Sequence, residues 1–590
     1  MNIRLINDNF TSDYVENLLH SRGIDDVSSY LNPSKEALQD PSALRNIRVG
    51  AALYHRIVSN GGRLLMIVDC DVDGFSSAAI LYQYTKQLNE NCTIDYWFHE
   101  GKKHGLDDFI QDLLTQNISY DLLLLADSSS NDAQYHDVLE DVNLPCLIID
   151  HHEVDERISN NAIIINNQMS PDYHNKSLVG AGMVYQFCRY MDQWLGHDWA
   201  DNYLDLAALG QIGDMGSLLP LESRYIVTNG LANINNKFFR YLIEKQAYSI
   251  TGNKDATFEQ ALAKLTPTHV AFYIVPMLNA VNRVGTNEEK RLLFIAFIDG
   301  DRLVPCNKRG AKGTEERAAV EAARIATNAR AHQNTMKDDA VAALKMKIDK
   351  CGLLDNQVLF LRLEKEDNFP AELNGLIANQ LANEYKRPTI VARLNSKGEV
   401  KGSLRGVNQS ALTDFKSFLM ESGYFEWCAG HSQAAGCCIL DKNLAAFHQY
   451  ANKALAQYDF CSNFYDVNFE RKAGAIDLGR LITEISRYTK IWGQGNPVPL
   501  IAVTNIPITP NTMRVMGARQ DTLKIEYGSV SFLKFFATDL IQDIQQYGCN
   551  CTIDIIGEAN LNEYKGRITP QIFIKDYEIK EGAKSDFAEF

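Results

Sequence analysis

Three short apolar runs, each ending in acids or histidines, constrain this chain more than any other feature. RLLMIVD ends at Asp69, YDLLLLAD at Asp127, and LPCLIIDHH at Asp150, His151 and His152. The runs are strand-sized and do not alternate, the pattern of strands buried on both faces of a parallel sheet. Amphipathic stretches between them, such as Ser76 to Leu88, supply crossover helices. Polar residues therefore gather at one edge, and ligands of open α/β sheets bind beyond the carboxyl ends of the strands. A fourth cluster stands on DLAALGQIGDMGSLLPL, where Asp214 closes an apolar, helix-like segment.

At 590 residues the chain is too long for one core, and about three or four domains are expected. Asp201 to Val281 reads as helical. Thr314 to Ile348 is Ala-rich, charge-rich and free of proline and glycine, a linking helix. Beyond it, VLFLRLE and PTIVARL read as strands around the helix AELNGLIANQLANEY. After residue 465, the segments GNPVPL, LIAVTNIPI, TLKIEYG, CTIDIIG and QIFIKDYEI read as strands broken by turns.

The net charge of −16 argues against coating duplex nucleic acid with a broad basic face, though not against a narrow groove. A carboxylate-rich metal centre itself adds negative charge that bound cations offset. The twelve cysteines include no CxxC, and the pairs Cys437/Cys438 and Cys549/Cys551 lack the spacing of a zinc knuckle, so reduced thiols are expected. The opening MNIRLINDNF has no signal-like apolar run and no segment is long enough to span a bilayer, so a cytoplasmic protein is expected.

Asp69, Asp71, Asp73 and Gly74 in DCDVDG could belong to a calcium loop or to a strand-end metal centre. An EF-hand places a glycine where Gly74 stands but requires a bidentate Glu where this chain has Ile80, and a helix, not a strand, before the first Asp. Crowded carboxylates raise one another's pKa unless cations neutralise them, which makes metal the natural counter-charge. Carboxylates with imidazoles and no thiolates favour Mn²⁺ or Mg²⁺ over Zn²⁺. Two ions about 3.5–4 Å apart on a shared carboxylate can clamp the attacking and leaving oxygens of a phosphoryl displacement. Hydrolysis of a phosphate ester is the natural chemistry.

In this order the clusters resemble the DHH phosphoesterase superfamily, and within it the RecJ-like single-strand-specific exonucleases. Asp69 to Gly74 is similar to the first motif DxDxDG, Asp127 to the second, Asp150–His151–His152 to the triplet that names the superfamily, and Ala208 to Asp214 to the fourth. YLNPSKEALQDPSAL, NAVNR ending at Arg283, GSLR (Gly402 to Arg405), AGHSQAAG (Ala429 to Gly436) and WGQGNPVP (Trp492 to Pro499) extend the likeness over most of the chain.

The resemblance implies one metal on Asp69, Asp71 and Asp127 and a second on Asp73, Asp127, His151 and Asp214, with Asp127 bridging. It implies that Asp150 orients an imidazole, that His152 contacts the scissile phosphate, and that water is the nucleophile. Arg283, Gly402, Ser403, Arg405, Gly430 and His431 would grip substrate phosphates. Three departures stand out: Ser128, Ser129, Ser130 and Asn131 follow Asp127 where the family has glycine or asparagine-glycine, Asn282 replaces a glycine, and Ala429 replaces the first glycine of GGH.

The implied fold is α/β. It comprises a parallel-sheet DHH domain with an N-terminal entry segment (1–310), a long linking helix (311–350), a second α/β substrate domain (351–460) and a C-terminal β-rich OB-like domain (461–590). OB folds pair a basic groove with aromatic platforms; Tyr488, Trp492, Tyr527, Phe532, Phe535 and Phe536, with Lys490, Lys524, Lys534, Lys565 and Arg567, are the candidates. The implied activity is 5′ to 3′ hydrolysis of single-stranded DNA with Mn²⁺ or Mg²⁺, in DNA repair or recombination, by a monomer working beside a single-strand-binding protein or helicase and no membrane. Hydrolysis of short oligoribonucleotides or cyclic dinucleotides is the alternative substrate class, and a non-catalytic replication scaffold the alternative of another kind.

Overall fold

The unalternated runs become β1 (Arg63–Val68), β3 (Leu122–Ala126) and β4 (Cys146–Asp150), which join β2 (Thr93–Phe98) and β5 (Ala162–Asn166) in a parallel sheet of order β2-β1-β3-β4-β5. The structure is a computed structural model that describes residues 1–590 except 7–9, 100–103, 116–118, 156, 312, 365–366, 368, 548–550, 565 and 582–590. Every residue of β3 and β4 is buried. Their side chains feed two apolar clusters in alternation: Leu123, Leu125, Cys146 and Ile148 join Leu106, Phe109 and Leu139, while Leu122, Leu124, Leu147 and Ile149 join Phe75, Ala78 and Ala181. Both faces are covered, and for that reason the runs carry no polar alternation.

The chain order of the strands reverses between β1 and β3, and such a reversal opens a crevice at the carboxyl ends of the two strands. Asp69 leaves β1 there, and Asp127 leaves β3. The helix α1 (Val72–Leu88) starts in this crevice, its first turn capped by Asp71, whose Oδ1 accepts from the amide of Gly74 at 3.0 Å. The helix is buried nearly all round because α2 (Gly180–Leu195), α3 (Leu204–Gly213) and α5 (Asn287–Ile298) all pack on it. Residues 28–336 and 490–496 form this first compact unit; α4 (Val275–Val284) belongs to it as well.

Residues 1–27, 337–489 and 497–590 form the second. One five-stranded sheet there runs in the order Phe425–His431, Ala434–Leu440, Glu399–Arg405, Thr389–Leu394, Leu359–Leu363, antiparallel except for the last pair. A seven-stranded sheet is built from residues 469–581.

Two expected boundaries are corrected. The linking helix α6 spans Ala318–Cys351, not Thr314 to Ile348, because Glu315–Arg317 pairs with Leu303–Pro305 as a hairpin and the helix begins where that pairing ends. GNPVPL is no strand: Gly493 and Asn496 exchange backbone hydrogen bonds across a turn, Pro497 and Pro499 have no N–H to offer a ladder, and the strand starts at Leu500. Among the described residues no helix is long and apolar enough to cross a membrane.

Gly402 lies in the middle of its sheet, between Ala392 and Cys437. A Cβ there would overlap the carbonyl oxygen of Val391 and the Cα of Ala392, both backbone atoms that cannot swing aside. Gly402→Ala is expected to destabilise the second unit by about 1–3 kcal/mol, read as a lower urea midpoint; an unshifted midpoint would refute this packing.

Candidate metal centre

The four sequence clusters converge on the crevice between β1 and β3. Donor atoms of Asp69, Asp71 and Asp127 lie within 4.8 Å of one another, and so do those of Asp73, His151 and Asp214. His151 Nε2 stands 3.0 Å from Asp127, 3.6 Å from Asp214 and 3.8 Å from Asp73, so a single imidazole touches three acids from three segments.

Local structure holds each acid. Asp73 accepts hydrogen bonds from the amides of Gly180 (2.7 Å) and Ala181 (2.8 Å), the first turn of α2, where the helix dipole favours an anion. Asp214 caps the carboxyl end of α3. Three glycines make room: a Cβ at Gly74 would come within 2.6 Å of Asp69 Cβ, one at Gly180 within 2.5 Å of Asp127 Oδ1, and one at Gly210 would overlap Asp73 Oδ1. The glycines of DxDxDG and ALG are therefore seats for carboxylates.

Asp150 grips the imidazole of His152, Oδ1 to Nδ1 at 2.7 Å, and also accepts from the His151 amide at 2.7 Å and the Ser130 amide at 3.0 Å. Asp127 has φ 70° and Ser129 φ 79°, the left-handed region where the family's glycine would sit at ease. Here the serine loop is fastened instead: Ser129 Oγ donates to Asp132 at 2.6 Å, and Ser130 Oγ accepts from Asn166 at 3.0 Å.

Burial pushes Asp127 and Asp73 well above the ordinary carboxylate range, and the negative charges around them push in the same direction. Asp69 is raised by burial against the opposing pull of His104. Burial, then the charge of His152, lowers His151 to about 4, which leaves its imidazole neutral and able to donate to a metal. Burial opposes charge on His152 too, but the hydrogen bond and charge of Asp150 outweigh it and raise His152 to about 9. Asp127 Oδ1 and His151 Nε2 are buried 3.0 Å apart, and neither makes a well-aligned hydrogen bond. Oxygen and nitrogen donors left unsatisfied in this way among crowded acids fit a hard divalent cation bound through oxygen and imidazole.

The substrate candidates fall in two places. Arg283 is on the last turn of α4, next to Asn282, which is 3 % exposed with both amide atoms lacking a hydrogen-bond partner. Gly402, Ser403, Arg405, Gly430 and His431 share the five-stranded sheet of the second unit, where Arg405, Ala434 and His431 stand in one row across three strands. Ser403 is two residues from Arg405, so Ser403, Arg405 and His431 share a face. Gly430 has φ 125°, a conformation that favours glycine. Arg405 packs over Gly375, where a Cβ would lie 2.6 Å from Nη2.

Among the aromatic candidates, Trp492 (3 % exposed) and Phe532 (0 %) are core residues and not base platforms, and Trp492 belongs to the first unit. Tyr488 and Tyr527 are half-buried, while Phe535 (54 %) and Phe536 (82 %) are exposed. Lys524 is paired with Glu526 at 2.6 Å; Lys490 and Arg567 are exposed, and Lys534 is half-buried over the Tyr577 ring. Lys565 and Cys549 lie outside the described residues.

One residue at the centre is missing from the sequence expectations. His104 Nδ1 lies 2.7 Å from Asp69 Oδ1. It follows β2, an edge strand with half-buried positions whose sequence, TIDYWFH, breaks the apolar pattern that marked the other strand ends.

The raised carboxyls hold protons more tightly in the folded chain than in the unfolded one. Their stabilising contribution is full below the ordinary value of 3.8 and is lost as pH rises through their raised folded values. A cation replaces those protons. The metal-free protein is expected to lose thermal stability as pH rises above the ordinary carboxylate range, and Mn²⁺ to raise the melting temperature more at higher pH than at lower. Scanning fluorimetry with and without chelator measures it, and a Mn²⁺ increment flat with pH would contradict this electrostatic account.

Comparison with known proteins gives the same picture. The family model described as "DHH family, N-terminal domain" matches residues 63–211, and that described as "RecJ OB domain" matches 473–576. The chain is 34% identical over 586 residues to the "Putative SPbeta prophage-derived single-strand DNA-specific exonuclease YorK" of Bacillus subtilis (strain 168), covering 98% of both proteins. It is 24% identical to the single-stranded-DNA-specific exonuclease RecJ of the same organism, over 96% of this chain and 68% of that protein. Its fold is similar to the crystal structure of RecJ in complex with Mn²⁺ from Thermus thermophilus, with a TM-score of 0.73 at 18% identity over 98% of this chain and 79% of that one. An acid and imidazole crevice built from all four motifs, carried by a chain alike from end to end, places this protein in the RecJ-like family of DHH phosphoesterases.

Proposed function

We propose that the protein is a two-metal-dependent exonuclease that hydrolyses phosphodiester bonds of single-stranded DNA, 5′ to 3′. The observation that carries this is the pair of donor clusters, Asp69–Asp71–Asp127 and Asp73–His151–Asp214, joined by the 3.0 Å contact of His151 with Asp127. Relatives bearing the names of single-strand-specific exonucleases support the substrate class.

Asp69, Asp71 and Asp127 would hold one Mn²⁺ or Mg²⁺, and Asp73, Asp127, His151 and Asp214 the other. When bound, such a pair supplies a nucleophile from water at neutral pH and charge to neutralise the phosphate in the transition state. The chain's own part is placement and charge. Gly180 and Ala181 fix Asp73, and Asp150 keeps the His152 imidazolium oriented as a cationic donor for a phosphate oxygen. Arg283, Gly402, Ser403, Arg405, Gly430 and His431 would bind further phosphates, with Ser403, Arg405 and His431 on their shared face. We assign residues 1–310 to catalysis, 311–350 to a linker, 351–460 to substrate binding and 461–590 to an OB-like domain. The setting we infer is DNA recombination or repair in the cytoplasm, by a monomer working with a single-strand-binding protein or helicase.

Digestion of 5′-labelled and 3′-labelled single-stranded DNA and RNA with Mn²⁺, Mg²⁺ or chelator tests the reading. Mononucleotides should leave DNA from the 5′ end only when metal is present. Asp127→Asn and His151→Ala should each lose about 10³-fold or more in kcat, roughly 4 kcal/mol; full activity in either variant would sink the mechanism. Of the aromatic candidates, Phe535 and Phe536 are the exposed ones. Changing both to Ala should weaken binding of single-stranded oligonucleotides about tenfold or more by anisotropy, with hydrolysis of bis(4-nitrophenyl) phosphate unchanged; unaltered binding would remove them from the interface.

A further inference from the structure

The centre contains two carboxylate–imidazole pairs of the same geometry. In one, Asp150 Oδ1 meets His152 Nδ1 at 2.7 Å; in the other, Asp69 Oδ1 meets His104 Nδ1 at 2.7 Å. Both carboxylates are 1 % exposed, and the imidazoles are 50 % and 47 % exposed. The first pair arises within one triplet. The second joins residues 35 positions apart.

Described residues on both sides of His104 are anchored. At one end, the buried Nζ of Lys290 on α5 donates to the His99 carbonyl at 2.8 Å and lies 3.8 Å from the Sγ of Cys70, the residue between Asp69 and Asp71. At the other, the Leu106 amide donates to Asp132 Oδ2 at 2.9 Å, the same oxygen that accepts from Ser129. Gly105 has φ 77° and sits so close to this carboxylate that a Cβ would overlap it. His104 is therefore pinned to the serine loop that carries Asp127 as well as to Asp69. The loop that departs from the family pattern is the one that fixes the histidine.

We propose that His104 is a positioning residue for the first metal: its Nδ1–H engages one oxygen of Asp69 and leaves the other for the cation. Outer partners of metal-bound carboxylates and histidines orient the donor atoms, and losing one typically costs about 10–100-fold in metal affinity. The inference rests on the two-metal reading, and the experiment separates the two.

Titration of the full-length, substrate-free protein with Mn²⁺, followed by calorimetry and by electron paramagnetic resonance, reads both sites. His104→Ala should weaken one of two Mn²⁺ sites by about 10–100-fold and leave the other within about threefold, with kcat recovered at saturating Mn²⁺. His104→Asn, whose side-chain N–H can take the place of Nδ1–H, should restore affinity to within about threefold of the unmodified protein. The metal-free His104→Ala and His104→Asn variants should each still unfold in urea in a cooperative transition, which shows that affinity is compared on the same native fold. An unchanged isotherm for His104→Ala, or equal loss in the Ala and Asn variants, would overturn the proposal. Failure of the unmodified protein to bind Mn²⁺ would instead overturn the two-metal reading itself.

Discussion

Mutual repulsion among buried acids is the constraint on which the rest of this molecule depends. Asp69, Asp73 and Asp127 are each no more than 2 % exposed, and Asp71 and Asp214 stand beside them. Such a group cannot be fully ionised in a poorly solvated crevice without counter-charge. The chain supplies part of it: amides at the start of α2 point at Asp73, the start of α1 holds Asp71, and His104 donates to Asp69. These dipoles and hydrogen bonds fall short of full compensation, as the raised Asp69, Asp73 and Asp127 carboxyls attest. The remaining deficit is what makes the crevice a cation site.

The DxDxDG spacing follows from the same constraint. Asp69 directly follows the strand β1, Asp71 is the helix cap, and Asp73 lies in the first helical turn, so the three acids stand at three different points of the strand-to-helix corner. A regular strand would send alternate residues to one face in a line, and a regular helix would spread them around its axis. Only the strand-to-helix corner turns three nearby acids toward separate partners: His104, the Gly74 amide and the amides of α2. Gly74 completes the corner because the space a side chain would need is occupied by Asp69 itself.

How much of this could be read from sequence depended on how locally each feature was encoded. The strands β1, β3 and β4 were legible because burial on both faces writes an unbroken apolar run, and the acids at their ends were legible because each breaks that run. The identities of the clustered residues came from the motifs, but their proximity rests on the sheet order, which no local pattern records. His104 was hidden because β2 is an edge strand with a mixed pattern and because its partner is distant in sequence. Trp492 and Phe532 look like base platforms by composition alone; whether an aromatic faces the core depends on tertiary packing. The start of α6 was misplaced for a related reason: Glu315–Arg317 has good helix formers, and its hairpin partner Leu303–Pro305 overrides that propensity.

The serine loop shows how a departure from a family pattern can be compensated. A glycine after Asp127 would relieve the left-handed backbone, whereas here Ser129 adopts φ 79° at a conformational cost of about 1–3 kcal/mol. Its hydroxyl is then committed to Asp132, Ser130 ties the loop to Asp150 and Asn166, and Asn131 exchanges hydrogen bonds with the Glu153 carbonyl and the Asp155 amide. Each bond contributes about 1 kcal/mol, enough together to offset the strain. A glycine at 129 would relax the backbone but could not make the bond to Asp132. The substitution exchanges conformational ease for a loop stitched to the DHH triplet on one side and to the His104 segment on the other, and so couples Asp127 to both imidazole pairs.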